Sequence, residues 1–91
     1  MEYIGTYQES GITFKLFREE DGDGLFYKVS ATADREDLVY MEGQPEQWGC
    51  DSPWFSRRSQ AWKWVIDELK AFYERHPELP EPKRGKERWT T

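Results

Sequence analysis

One cysteine and one histidine in 91 residues are too few for chemistry that needs either in sets. Cys50 has no second thiol with which to close an internal disulfide, and together with His76 it falls short of the four thiolate and imidazole ligands of a structural zinc site. No run of about 18 apolar residues occurs, and the opening MEYIGTYQES is polar, so neither a membrane span nor a secretory leader is expected and the reading is a cytoplasmic protein. Aliphatic residues are scarce as well. Leu, Ile, Val and Phe together number 16, a share that borders on disordered composition, but five Trp and five Tyr restore much of the missing apolar area. A chain of this length holds one small core, so a single folded domain rich in aromatics is expected.

The net charge of -5 conceals a gradient. Residues 1–51 carry 12 acids against 4 bases, residues 52–82 carry 5 against 5, and residues 83–91 carry 1 against 4. An acidic chain is repelled by phosphate backbones, which makes another protein the expected partner and leaves nucleic acid to whatever local basic patches exist.

Hydrophobic periodicity predicts strands followed by a helix. Met1 to Gln8, with Tyr3, Ile4 and Tyr7, reads as a short strand ending at the polar turn Glu9-Ser10-Gly11. From Ile12 the pattern alternates, placing Ile12, Phe14 and Leu16 on one face, and it resumes with Leu25, Tyr27, Val29, Ala31 and Ala33 after Asp21-Gly22-Asp23-Gly24. A two-residue turn at Gly22-Asp23 pairs Leu16 with Val29, Phe14 with Ala31 and Ile12 with Ala33, so each inward residue meets another. The same register leaves Phe17 opposite Lys28 and Phe26 opposite Glu19 on the outer face. Asp37–Glu42 reads as a further short strand, Glu46–Pro53 as a loop holding Trp48 and Cys50, and either Ser52-Pro53 or Ser56 suits a helix start. The helix, from about Ser56 to His76, is stopped by Pro77 and buries a stripe of Trp62, Val65, Ile66, Leu69, Phe72 and Tyr73. The expected fold is α+β: a three- or four-stranded antiparallel meander with one C-terminal helix on one face. Residues 1–77 form the domain, and residues 78–91, entered through a stretch with three prolines in six residues (77–82), form an extended or disordered basic tail with no pattern for burial.

Candidate chemistry is sparse. Asp21 and Asp23 echo a calcium loop, but Ser30 falls where a bidentate Glu is required, so the hairpin turn is the better reading and no metal is expected. His76 at a helix C-terminus is placed to cap it, Cys50 has no second histidine to activate it, and adjacent acids such as Asp67-Glu68 diverge in a regular element. Neither catalysis nor a cofactor is expected. Trp48 and Trp54 are read as closing the open end of the core.

What remains is surface. Trp64 falls off the helical stripe, and Arg57 and Arg58 oppose the macrodipole in the first turn, so Trp64 ringed by Arg57, Arg58 and Arg75 is the favoured partner-binding site, with Phe17 and Phe26 as the second candidate. The function expected is a small acidic binding module that occupies a partner protein's surface as a monomer or homodimer. Phage-encoded inhibitors of the anti-defence or host-takeover type, which block host defence or transcription enzymes, share this size and character, and an adaptor or assembly factor is the other form such a module takes. An acidic face also imitates nucleic acid, which would suit occupation of a nucleic-acid-binding enzyme. The alternative is direct nucleic-acid binding through Arg57, Arg58, Lys63, Trp64 and the basic tail Lys83 to Trp89.

Overall fold

The structure, a computed structural model, describes residues 1–33 and 48–91. Strands β1 (Glu2–Glu9), β2 (Ile12–Asp21), β3 (Gly24–Ala33) and β4 (Trp48–Asp51) form one antiparallel sheet in chain order, and helix α1 (Arg58–Arg75) follows. This is the α+β meander that the alternation predicts. No helix among the described residues is long and apolar enough to cross a membrane.

The β2–β3 hairpin has the register expected from its turn: Ile12 faces Ala33, Phe14 faces Ala31, Leu16 faces Val29, and Asp21 faces Gly24 across Gly22-Asp23. Asp21 Oδ1 accepts the Asp23 N–H at 2.7 Å, which ties the turn. Between β1 and β2, Ser10 and Gly11 take φ of 52° and 80°, the left-handed pair that matches strand twist in a two-residue hairpin. Inward residues of the sheet meet the helical stripe. Ile12, Phe14, Leu16, Val29 and Ala31 bury themselves against Ala61, Val65, Leu69, Phe72 and Tyr73.

The segment before the helix differs from the sequence reading. Trp48–Asp51 is a strand paired to Ser30–Ala33, although no periodicity is legible over four residues, because the open edge of β3 supplies the partner. The strand expected at Asp37–Glu42 lies outside the described residues. Ser52 does not cap the helix but is buried beside β3, where its hydroxyl accepts the Val29 N–H at 2.8 Å and donates to the Pro53 carbonyl at 2.8 Å. Phe55 then exchanges both backbone hydrogen bonds with Tyr27 at 2.7 Å. The N-cap of α1 is Arg57, whose N–H donates to the Gln60 side-chain oxygen at 3.1 Å, and the Ser56 hydroxyl donates to that same oxygen at 3.2 Å. At the other end the His76 N–H reaches the carbonyls of Phe72 and Tyr73, and Pro77 ends the helix as expected.

The tail is extended and docked. Arg84 forks onto Glu9, with Nε to Oε1 at 2.8 Å and Nη2 to Oε2 at 2.7 Å, and its Nη1 reaches Glu81 at 2.9 Å. The paired side chains are only 10% and 7% exposed. Glu9 also accepts the hydroxyls of Tyr7 and Tyr73. Since the Tyr73 phenol has one proton and gives it to Glu9, Ser10 donates in the 2.7 Å contact between Ser10 and Tyr73. Farther on, Trp89 packs edge-on against Trp62 at 5.5 Å, Trp62 packs edge-on against Tyr7 at 5.0 Å, and Thr90 pairs by two backbone bonds with Thr6 on the open edge of β1. Gly5 permits this approach, because a Cβ there would stand 2.8 Å from Trp89 Cβ. The expectation that this segment has nothing to bury is therefore corrected: each fixed point is a single residue, and single residues have no period.

The Glu9 site makes stability depend on pH. Burial pushes the Glu9 carboxyl up, but hydrogen bonds from Arg84, Tyr7 and Tyr73 together outweigh it and hold the group below the usual glutamate value. Burial, then the Glu9 contact, pushes Tyr7 to about 12, so Tyr7 remains a donor at any ordinary pH. A carboxyl whose folded value is depressed contributes stability that is complete above the unfolded value, near about 4.3, and is lost as pH falls through the folded value. Acid denaturation followed by fluorescence is expected to show a steeper loss below about pH 4.5 for the native chain than for Glu9→Gln. Parallel curves for the two would remove Glu9 from the acid transition.

Candidate functional site

Two surfaces can be compared residue by residue. On the helix side the expected ring of arginines around Trp64 does not form. Arg57 and Arg75 stand at opposite ends of an 18-residue helix, about 27 Å in length, so they cannot flank one side chain. Arg58 Nε lies 3.6 Å from the Glu87 carboxylate of the docked tail, which supplies the anion that two cations at a helix N-terminus call for. Lys63 pairs with Asp67 at 3.1 Å, one turn along. Trp64 itself is half-buried and meets Phe14 edge-on at 6.4 Å. The buried stripe is centred nearer Val65 than the full set of apolar residues implied, with Ile66 only half-buried, so Trp64 flanks the contact instead of opposing it.

Trp64 still borders a shallow cleft with Phe55, Gln60, Lys63 and Asp67. Its packing role gives a direct prediction. Trp64→Ala is expected to destabilise the fold by about 2 kcal/mol, below the cost of a fully buried tryptophan because one edge stays wet. Chemical denaturation showing a change under about 0.5 kcal/mol would restore Trp64 to the surface.

The basic tail is also largely engaged. Arg84 is neutralised by Glu9 and Glu81, and Trp89 is half-buried against Trp62 with its indole N–H on Glu87 at 2.7 Å. The aromatic that could have stacked on a base is thus committed to the domain, while Lys83, Lys86 and Arg88 remain exposed. Cys50, in β4 opposite Ala31, is half-buried, and burial followed by the Glu68 and Asp51 carboxylates pushes its thiol to about 11. A thiol so raised is a poor nucleophile near neutrality.

The opposite face of the sheet carries a different set. Strand alternation sends Phe17 and Phe26 outward, as expected, and both are half-buried. Tyr3 joins them across β1, edge-on to Phe17 at 6.0 Å, because the register shift between Tyr3 and Gly5 lets Tyr3 face out while Gly5 faces in. Trp54 is the fourth. Phe55 pairs with Tyr27 and turns inward to the core, so the preceding residue must turn outward, and Trp54 is 43% exposed instead of closing the core. Its ring lies under the Lys28 ammonium, 5.5 Å away, and Lys28 also reaches Asp51 at 3.5 Å. Between Phe26 and Trp54 a cleft of about 260 Å³ opens, lined among the described residues by these two rings and by Glu19 and Asp21. Tyr3 and Trp54 have no short-range apolar periodicity to announce them; only the bulge in β1 and the Phe55–Tyr27 pairing orient them.

The fold is thus an α+β meander with its helix and tail on one face and four aromatic residues on the other. No family model, curated protein or solved structure matches the chain.

Proposed function

We propose that this protein is a small acidic binding module that occupies the surface of another protein with the outer face of its sheet, in the manner of an inhibitor, adaptor or assembly factor. The observation that carries this reading is the aromatic row Tyr3, Phe17, Phe26 and Trp54 on the face opposite the helix, with Tyr3 and Trp54 45% and 43% exposed. Large aromatic side chains cost free energy to hold in water, and at contact surfaces they supply much of the binding energy. The helix side has less to offer, since Trp64 and Trp89 are engaged in packing and Arg58, Lys63 and Arg84 in ion pairs. Action in the cytoplasm suits a lone thiol such as Cys50, which has no partner to be oxidised with inside the chain.

The test compares two variants of the full chain as bait in a lysate of the source cells. Tyr3→Ser with Trp54→Ser is expected to fold and to lose the stoichiometric partner that the native chain retains, whereas Arg57→Ala with Lys63→Ala is expected to keep it. Retention by the first variant and loss by the second would move the interface to the helix.

A further inference from the structure

The cleft between Phe26 and Trp54 has a chemistry that selects its occupant. Its walls are two aromatic rings and its polar rim is two carboxylates, Glu19 and Asp21. Aromatic faces attract cations through their quadrupole, and carboxylates attract them by charge; anions meet repulsion from both. Among the described residues Glu19 makes no ion pair and the Asp21 side chain accepts only the backbone N–H of Asp23. The cleft therefore holds more negative charge than the described residues neutralise. Trp54 already shows the preference internally, since the Lys28 ammonium sits over its ring. Glu20, which strand alternation sends to the other face, and Asp23 in the turn add negative charge nearby without lining the cleft.

We propose that this cleft binds a lysine or arginine side chain projecting from a basic segment of the partner protein. The proposal rests on the outer-face reading above and gives that face its specificity: the aromatic row supplies contact area, and the cleft fixes register by taking one cationic side chain between Phe26 and Trp54 and onto Glu19 and Asp21. An elongated, flexible cation enters end-on, with its methylene stem along the rings and its charged head at the carboxylates.

The test is an amide NMR titration of the full chain with acetylated pentalysine and pentaarginine amides, with pentaglutamate as control. Both basic peptides are expected to shift the signals of Glu19, Asp21, Phe26 and the Trp54 indole N–H, and pentaglutamate to shift none of these. Glu19→Gln with Asp21→Asn, and separately Trp54→Ala, should each weaken binding by at least about tenfold. Glu20→Gln with Asp23→Asn removes the same charge outside the cleft and should weaken it less than about threefold. Absence of binding by the native chain at millimolar peptide would overturn the proposal, as would equal weakening by the two charge-removing pairs, which would indicate a diffuse field. So would concentration-dependent shifts of the same signals without peptide, the mark of a second copy seated on the face. Failure here is distinguishable from failure of the outer-face reading: a partner lost by Tyr3→Ser with Trp54→Ser but kept by Glu19→Gln with Asp21→Asn retains the face and discards the cationic cleft.

Discussion

Ending the chain at Pro77 is expected to lower the melting temperature by about 12 °C or more. The truncation removes Arg84 from a carboxylate whose side chain is 7% exposed, and a buried charge deprived of its partner costs about 3 to 5 kcal/mol. The lower end applies, because Tyr7 and Tyr73 still donate to Glu9. Loss of Trp89 from its edge contact with Trp62, and of the Thr90 pairing with Thr6, adds to the effect. In a domain of this size each kcal/mol corresponds to about 4 to 8 °C. Point variants divide the contributions: Arg84→Gln should carry most of the loss, and Trp89→Ala a smaller part through packing alone. A truncated chain that melts within about 3 °C of the full one would mean that the tail lies on the domain without holding it.

Leu69→Ala is expected to cost about 2 to 5 kcal/mol in chemical denaturation. Leu69 is fully buried in the middle of α1, where Ala61, Val65, Phe72 and Tyr73 complete the stripe against Phe14, Leu16 and Val29. The sheet and helix share one small core with few aliphatic residues, so the void left by a leucine has few neighbours able to move into it. A change under about half a kcal/mol would mean that the helix is not docked on the sheet through this stripe.

The two variants address parts of the molecule that differ in how they can be read. Leu69 is legible because a helix repeats: Val65, Leu69, Phe72 and Tyr73 return to one side whatever they are packed against. Arg84 is not, because its partner Glu9 lies 75 positions away and nothing in PELPEPKRGKERWTT marks one arginine among its neighbours. The proposed site divides in the same way. Phe17 and Phe26 face outward by parity alone, once Gly22-Asp23 is recognised as the turn. Tyr3 and Trp54 required the bulge in β1 and the pairing of Phe55 with Tyr27, and Trp64 required the true centre of the helical stripe.

By itself the sequence determined the meander, the β2–β3 register, the body of the helix and its stop at Pro77, since each follows from a period of 2 or 3.6 residues or from a local turn or breaker, and local geometry acts over a few neighbours. Tertiary structure alone decided that Trp48–Asp51 is a strand, that Trp54 turns outward and Trp64 inward, and that a proline-rich tail is fastened to the first hairpin. Those outcomes depend on which distant surface offers an unpaired edge, an apolar flank or an opposite charge, and a contact of that kind leaves no period in the chain that makes it.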